Sequence, residues 1–224
     1  MLHWKERLLN EPVELNPSEA YKKWASNYPP YAHNELMKLE ERAVLDLLPE
    51  TTAGAALDLG CGSGRYLRIL RARGSQPVFG LDLSRPMLVR ARSHGADLVQ
   101  SDIELISMKT AGLYLVVCAL ALGHIRDLRS AMREISRILV PGGTVIYSEI
   151  HPNGSRLGWR RTFRGNDGVQ YSVRSNLHTV ADHLNACGDA GLMIEAVREP
   201  AVDFQRKWRG LPALIVIRAR KPSL

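Results

Sequence analysis

The chain has 224 residues, 45% hydrophobic and 24% charged, a size that suits one domain with its own core. This composition excludes collagen-like, disordered and disulfide-scaffold classes. The formal charge is +7, unevenly spread: residues 1–50 carry nine acids and six bases, so the excess lies in the remainder, where arginine dominates.

The start, MLHWKERLLNEPVEL, lacks the apolar core and small-residue cleavage site of a secretory signal. Residues 18–26 and 34–48 read as helices of an N-terminal helical cap (1–50), the first with Ser18 as N-cap and the second with Leu36, Leu39, Ala43 and Leu47 at helical spacing. The proline-rich NYPPYAH separates them. From residue 55 short apolar runs alternate with Arg-rich helical segments. AALDLG is a strand, GRYLRILRARG a helix closed by Gly74, PVFGLDL a strand, and SRPMLVRARSHG a helix from Ser84 to Gly95. ADLVQSD and LYLVVCALAL are further strands. LRSAMREISRILVPGG is a helix ending at Pro141–Gly142, and GTVIYSEI is the fifth strand. Residues 151–175 fit neither period and read as a lid insertion. The tail holds a helix within SVRSNLHTVADHLNACGDAG, then the consecutive strands LMIEAVREP and PALIVIRAR, at least one of which can be antiparallel. Continuous apolar strands alternating with helices predict an α/β fold, a mostly parallel sheet covered on both faces.

The chemistry is concentrated in ALDLGCGSGRYLRIL. Gly60, Gly62 and Gly64 stand where a strand turns into a helix, so backbone can approach a ligand closely and aim its N–H groups. Asp82 ends the next strand at the spacing that ribose recognition requires, and Asp102 follows the third. The pattern is GxGxG with Asp58 just before it. An acid there would repel a pyrophosphate but not an ammonium or sulfonium, which favours a cationic nucleoside over a dinucleotide.

LDLGCGSGR, GLDLSRPML, SDIE, CALALGHI and RILVPGGTVIYSEIH together resemble the class I S-adenosylmethionine-dependent methyltransferases of the small-molecule methyltransferase 11 type, over about residue 20 to the C-terminus. The resemblance implies a Rossmann-like seven-stranded sheet with a reversed last strand, and S-adenosylmethionine as cofactor. It places Gly60, Gly62 and Gly64 at the methionine part and Asp82 on the ribose hydroxyls, with Leu83 and Met87 nearby. Asp102 and Ile103 would meet the adenine, and Cys118 and Ala119 would offer backbone at the reacting end. One departure stands out: where the family has an aromatic–Asp pair opening the fourth strand, this chain has Leu113–Tyr114.

NYPPY is not the (N/D)PPY signature of amine methylases, because Tyr28 interrupts it and it precedes the glycine turn. Its use is a bend at the mouth of the site, where Tyr21 and Tyr28 either close over the methionine or simply pack between helices. His124, Glu149 and His151 end the fourth and fifth strands and are candidate bases, against the plainer reading of hydrogen-bonded structural residues. Cys61, Cys118 and Cys187 form no CxxC pair and no His/Cys cluster, so they read as packed thiols with no metal or disulfide. Arg156, Arg160, Arg161 and Arg164 with Trp159 and Phe163 form the substrate-side feature, since Arg forks grip carboxylates and aromatics supply a wall. The expectation is methylation of a small, acidic acceptor held by Arg160, Arg161, Trp159 and Tyr21. LDLSRPML and SDIE resemble the malonyl carrier-protein O-methyltransferases, and the general layout is equally similar to the ubiquinone and menaquinone C-methyltransferases. The competing reading is a tRNA or rRNA methylase using the basic surface, opposed by the absence of an (N/D)PPY after strand four; a third is a cofactor-binding regulator. No apolar run reaches the ~18 residues of a membrane span. The protein is expected in the cytoplasm, as monomer or homodimer.

Overall fold

The computed structural model describes residues 11–223, so most of the start read as lacking a secretory signal lies outside the described residues. The N-terminal segment is not purely helical. Strand β1 (Val13–Leu15) precedes α1 (Pro17–Trp24) and α2 (Glu35–Leu47). Helix α1 is capped by Asn16, not Ser18: the Asn16 side chain accepts from the Glu19 N–H at 3.0 Å. Pro17 takes the first helical position, where its missing N–H costs nothing.

The alternation from residue 55 onward resolves into β2 (Ala56–Leu59), α3 (Arg65–Ala72), β3 (Val78–Asp82), α4 (Arg85–Ala91), β4 (Asp97–Gln100), β5 (Leu113–Ala119), α5 (Leu128–Ile138) and β6 (Leu139–Ile150). Helix α5 stops earlier than the sequence pattern suggests. Val140 precedes Pro141, a position pushed out of the helical region, and Leu139 already pairs with Leu113 of β5. All four residues of β2 are buried, as a strand covered on both faces must be. Side chains alternate between two cores: Leu57 and Leu59 pack with α5 residues Met132 and Ile135, while Ala56 packs with Leu67, Leu70 and Val44 from α3 and α2.

Residues 151–175 are not an irregular loop. They contain α6 (Pro152–Arg156) and the antiparallel hairpin β7 (Arg161–Arg164) and β8 (Gln170–Val173). Strand β1 joins β8 in parallel, completing a separate three-stranded sheet in the order β1-β8-β7. The lid therefore owes its structure to a partner some 160 residues away, which no local pattern could reveal. After α7 (Val180–Asp189), capped by a reciprocal Thr179–Asp182 box, come β9 (Met193–Arg198) and β10 (Leu214–Arg220). The main sheet runs β4-β3-β2-β5-β6-β10-β9, with β10 antiparallel to both neighbours. This is the Rossmann-like, mostly parallel sheet with a reversed last strand. The carboxyl ends of β2, β3, β4 and β5 open on one edge, and the small sheet with α1 lies over it. Among the described residues no helix is long and apolar enough to cross a membrane.

Candidate functional site

A cavity of about 290 Å³ occupies this edge. Its floor is the turn from β2 into α3. Gly60 has φ +72°, and a Cβ there would stand 2.6 Å from the Ala121 Cβ, so only glycine closes the turn under the β5 end. The turn's amides are used internally. The Gly60 and Cys61 N–H groups donate to the Leu81 carbonyl, Gly64 N–H to Cys61, and Gly62 N–H to Asp82 Oδ2 at 2.8 Å. The turn thus offers a wall free of side chains, not the row of ligand-facing donors that its glycines suggest. Gly64 faces the His94 ring and does not line the cavity.

Asp82 sits at the cavity wall with its carboxylate fixed twice, by Gly62 N–H and by Ser84 N–H at 2.7 Å. Burial pushes its pKa up, while those two donors work against the rise. Each oxygen keeps a lone pair, so the group can still receive a pair of vicinal hydroxyls. Leu83, Met87, Asp102 and Ile103 line the same end, with Asp102 steadied by the Glu104 N–H at 3.0 Å. Asp58 lies beneath the turn and not on the wall. Burial raises its carboxyl to about 7, and Oδ2 has no hydrogen-bond partner among the described residues. An orphaned buried carboxylate oxygen under a side-chain-free floor, beside a doubly anchored acid, suits a ligand with a cation at one end and a ribose at the other. S-adenosylmethionine is such a ligand, and the residues present fit it.

Two flanking features escaped the sequence reading. Glu40, wholly buried on α2, receives Arg65 at 2.6 Å, Ser148 Oγ at 2.6 Å and the Tyr66 hydroxyl at 3.0 Å, welding α2, α3 and β6 together. Arg65 also reaches the cavity, as does Asn16 of the α1 cap. Glu40 falls within an ordinary amphipathic helix pattern, and only its three distant partners distinguish it. The NYPPY bend docks on the glycine turn through Ser63 Oγ, which donates to the Pro29 carbonyl at 3.0 Å, and so brings Tyr28 to the cavity.

The opposite end, at the mouth of β5, is cationic. Arg161 comes in from β7 and donates to the Leu120 carbonyl at 2.9 Å, to the Tyr21 hydroxyl and to His124 Nε2 at 2.8 Å. His124 Nδ1 lies 3.2 Å from the Arg174 carbonyl, which can only accept, so that nitrogen carries the proton and Nε2 is the acceptor. Burial, reinforced by Arg161, holds His124 down at about 3. Burial likewise pushes the Tyr21 and Tyr28 hydroxyls up, against the pull of Arg161. The cluster is therefore a fixed positive charge among neutral hydrogen-bonding groups. Its hydrogen bonds among the described residues go to no carboxylate; Glu149 is close enough to act on its charge but not as a direct partner.

Other expected site residues are placed elsewhere. The four arginines do not act together: residues of a strand alternate faces, so Arg161 and Phe163 turn inward while Thr162 and Arg164 turn out. Arg160 and Arg156 are exposed, and Arg160 lines an outer hollow with Glu11 and Pro12. Trp159 misses the cofactor cavity and lines the two adjoining hollows. Glu149 is locked by the Gly123 N–H at 2.6 Å and its neighbour's Ile150 N–H at 2.8 Å, in a small pocket behind His124 and Arg161. His151 caps α6 and pairs with Glu199 at 2.9 Å, away from the cavity. Cys118 is wholly buried in the core; Ala119, next to it, does reach the wall. Burial pushes the Cys61 and Cys118 thiols well up, which removes them as nucleophiles. Tyr114, at the departure from the family pattern, is exposed and covers Gly54.

Comparison with known proteins agrees with this geometry. Residues 57–147 match the methyltransferase 11 family model, described as a methyltransferase domain. A malonyl-acyl-carrier-protein O-methyltransferase of Enterobacter lignolyticus is 36% identical over 133 residues, covering 57% of this chain and 53% of that protein. A ubiquinone biosynthesis O-methyltransferase of Escherichia coli is 30% identical over 146 residues, 62% of this chain and 60% of the other. The chain spans about half the length of the curated relatives it matches. An S-adenosylmethionine-dependent methyltransferase structure from Mesorhizobium loti superposes with a TM-score of 0.68 at 26% identity, covering 81% of this chain and 97% of that one. The glycine turn, the doubly anchored acid after it and the reversed last strand thus have one common explanation: residues 57–147 are a methyltransferase domain of the methyltransferase 11 family, on the fold of the S-adenosylmethionine-dependent methyltransferases.

Proposed function

We propose that the protein transfers a methyl group from S-adenosylmethionine to an oxygen of a small acidic acceptor. The observation that carries the reading is Arg161, a charged fork inside the cavity whose hydrogen-bonding neighbours are all neutral. A recessed guanidinium without a direct carboxylate partner is costly, and an anionic ligand offsets that cost. When bound, the cofactor supplies an electrophilic methyl on a sulfonium. Asp82 orients the ribose, the glycine turn admits the chain beside it, and Tyr21 and Tyr28 exclude water from the reacting end. Arg161 holds the acceptor oxygen near Leu120 and Ala121.

His124 bears on the acceptor's ionisation. Held near 3, its Nε2 is too weak a base to remove a proton from an alcohol or ammonium at neutral pH. An acceptor already anionic at that pH, such as a carboxylate, needs no base. The curated relatives include a malonyl-acyl-carrier-protein O-methyltransferase and a ubiquinone biosynthesis O-methyltransferase by name, which supports oxygen as the accepting atom. Arg156, Arg160 and Arg164 turn outward, where a nucleic-acid reading would lean on them, whereas the recessed Arg161 favours a small anion. A labelled-methyl transfer screen over small-molecule extracts with mass readout tests the proposal. The expected products are methyl esters or ethers of acids, and their formation falls at least tenfold in Arg161→Gln. Products confined to amines or to RNA contradict it.

A further inference from the structure

A second hollow, of about 520 Å³, adjoins the cofactor cavity and shares Tyr28, Leu120 and Arg161 with it as a common wall. It lies between the α1–α2 bend on one side and the segments carrying Trp159 and Phe204 on the other. Its lining is unusual for this chain. Only 14 of the 224 residues are Phe, Trp or Tyr, yet Trp24, Tyr28, Trp159 and Phe204 all face this one space. Their positions are set by packing. Trp24 stacks on Phe163 at 4.6 Å with planes 7° apart, and Tyr28 packs edge-to-face with Trp24 at 4.8 Å. Trp159 sits over Gly154, where a Cβ would come within 2.6 Å of the indole, and abuts Trp208 at 6.0 Å. Four packed aromatic side chains around one hollow favour a flat ring over a flexible chain, because the ring finds apolar and π contact among them and loses little rotamer freedom. The volume lies in the range of sites for drug-sized ligands, larger than a two- or three-carbon acid requires.

We infer that this hollow seats the body of the acceptor, a planar aromatic acid whose anionic end reaches Arg161 through the shared wall while the cofactor lies on the other side. The inference rests on the acidic-acceptor reading for the end group and on the hollow alone for the ring. Arg160, exposed at the rim, adds attraction at the entrance. The two spaces share only Tyr28, Leu120 and Arg161 among their lining residues, so on this inference the acceptor enters and leaves without displacing the cofactor.

The test is calorimetric titration of the full-length protein, saturated with S-adenosylhomocysteine, using 2-naphthoate, decanoate, acetate and the uncharged 2-naphthalenemethanol. Binding of 2-naphthoate at least tenfold tighter than acetate and at least threefold tighter than decanoate is expected. Trp159→Leu then weakens 2-naphthoate at least fivefold with S-adenosylhomocysteine affinity unchanged, and the exposed Phe204→Ala weakens it two- to threefold. Decanoate equal to or tighter than 2-naphthoate overturns the inference, as does a naphthoate affinity indifferent to both substitutions. If 2-naphthalenemethanol binds as tightly as 2-naphthoate and with the same dependence on Trp159, the aromatic seat stands and the acidic-acceptor reading falls.

Discussion

The two ends of the site are built in opposite ways. The cofactor end comes from short contiguous segments at the carboxyl ends of β2, β3 and β4: a glycine turn, Asp82, and Asp102. Its charge is negative and its shape comes from backbone. The acceptor end is assembled from residues 16–28, 120–125 and 159–162, joined by a three-stranded sheet whose strands are distant in sequence. Its charge is positive and its shape comes from aromatic side chains. A strand-to-turn-to-helix unit can hold a common ligand group using local geometry alone. On the proposed reading the lid supplies the acceptor with a surface that can be exchanged without disturbing that unit.

The comparison is broken most severely by cutting what ties the two ends to one frame. Glu40→Ala leaves Arg65 recessed without its partner and frees Tyr66 and Ser148, and it is expected to cost about 3–5 kcal/mol in urea unfolding. A loss under 1 kcal/mol would show that α2 is held by packing alone. Arg161→Gln should spare the fold and raise the acceptor KM about thirtyfold, near 2 kcal/mol for a lost charged hydrogen bond, with the cofactor KM unchanged.

Titration sharpens the contrast further. Asp58 is raised to about 7 in the folded protein, above its ordinary value, so the fold keeps a proton that the unfolded chain has released. Its contribution to stability is therefore full in acid and fades as pH rises through 7. A ligand ammonium favours the ionised form, so S-adenosylhomocysteine affinity should rise several-fold from pH 6 to 8 and lose that dependence in Asp58→Asn. His124, held near 3, adds no such step on the acceptor side between pH 5 and 8. The smallest effect is Arg160→Ala, expected to change acceptor KM by less than threefold because that side chain stays at the rim.

The same contrast explains what could be read in advance. The strand–helix alternation follows from apolar runs and helix spacing, and the missing helix between the last two strands lets one of them be antiparallel; the reversed last strand is what the family resemblance implies. Asp82 was legible because its distance from the turn is set by one strand–helix–strand unit. Arg161 and Tyr21 are legible as residue types, but residues 151–175 show no period in the sequence, so nothing there separates Arg160 from Arg161. Once β7 is known to be a strand, adjacent arginines must face opposite sides. His151 and Glu149 drew attention as strand-end acids and bases, yet His151 is turned to Glu199 and Glu149 to backbone amides, partnerships formed only in three dimensions. Glu40 and the aromatic hollow had no local signature, since their partners lie tens to more than a hundred residues away.

The most direct measurement of the division between the two ends is calorimetric titration of S-adenosylhomocysteine into the wild type, Asp82→Ala and Arg161→Gln. The account predicts at least a tenfold loss in Asp82→Ala, about 1.4 kcal/mol, and a change of less than twofold in Arg161→Gln. Equal weakening in both variants, or an intact affinity in Asp82→Ala, would contradict it.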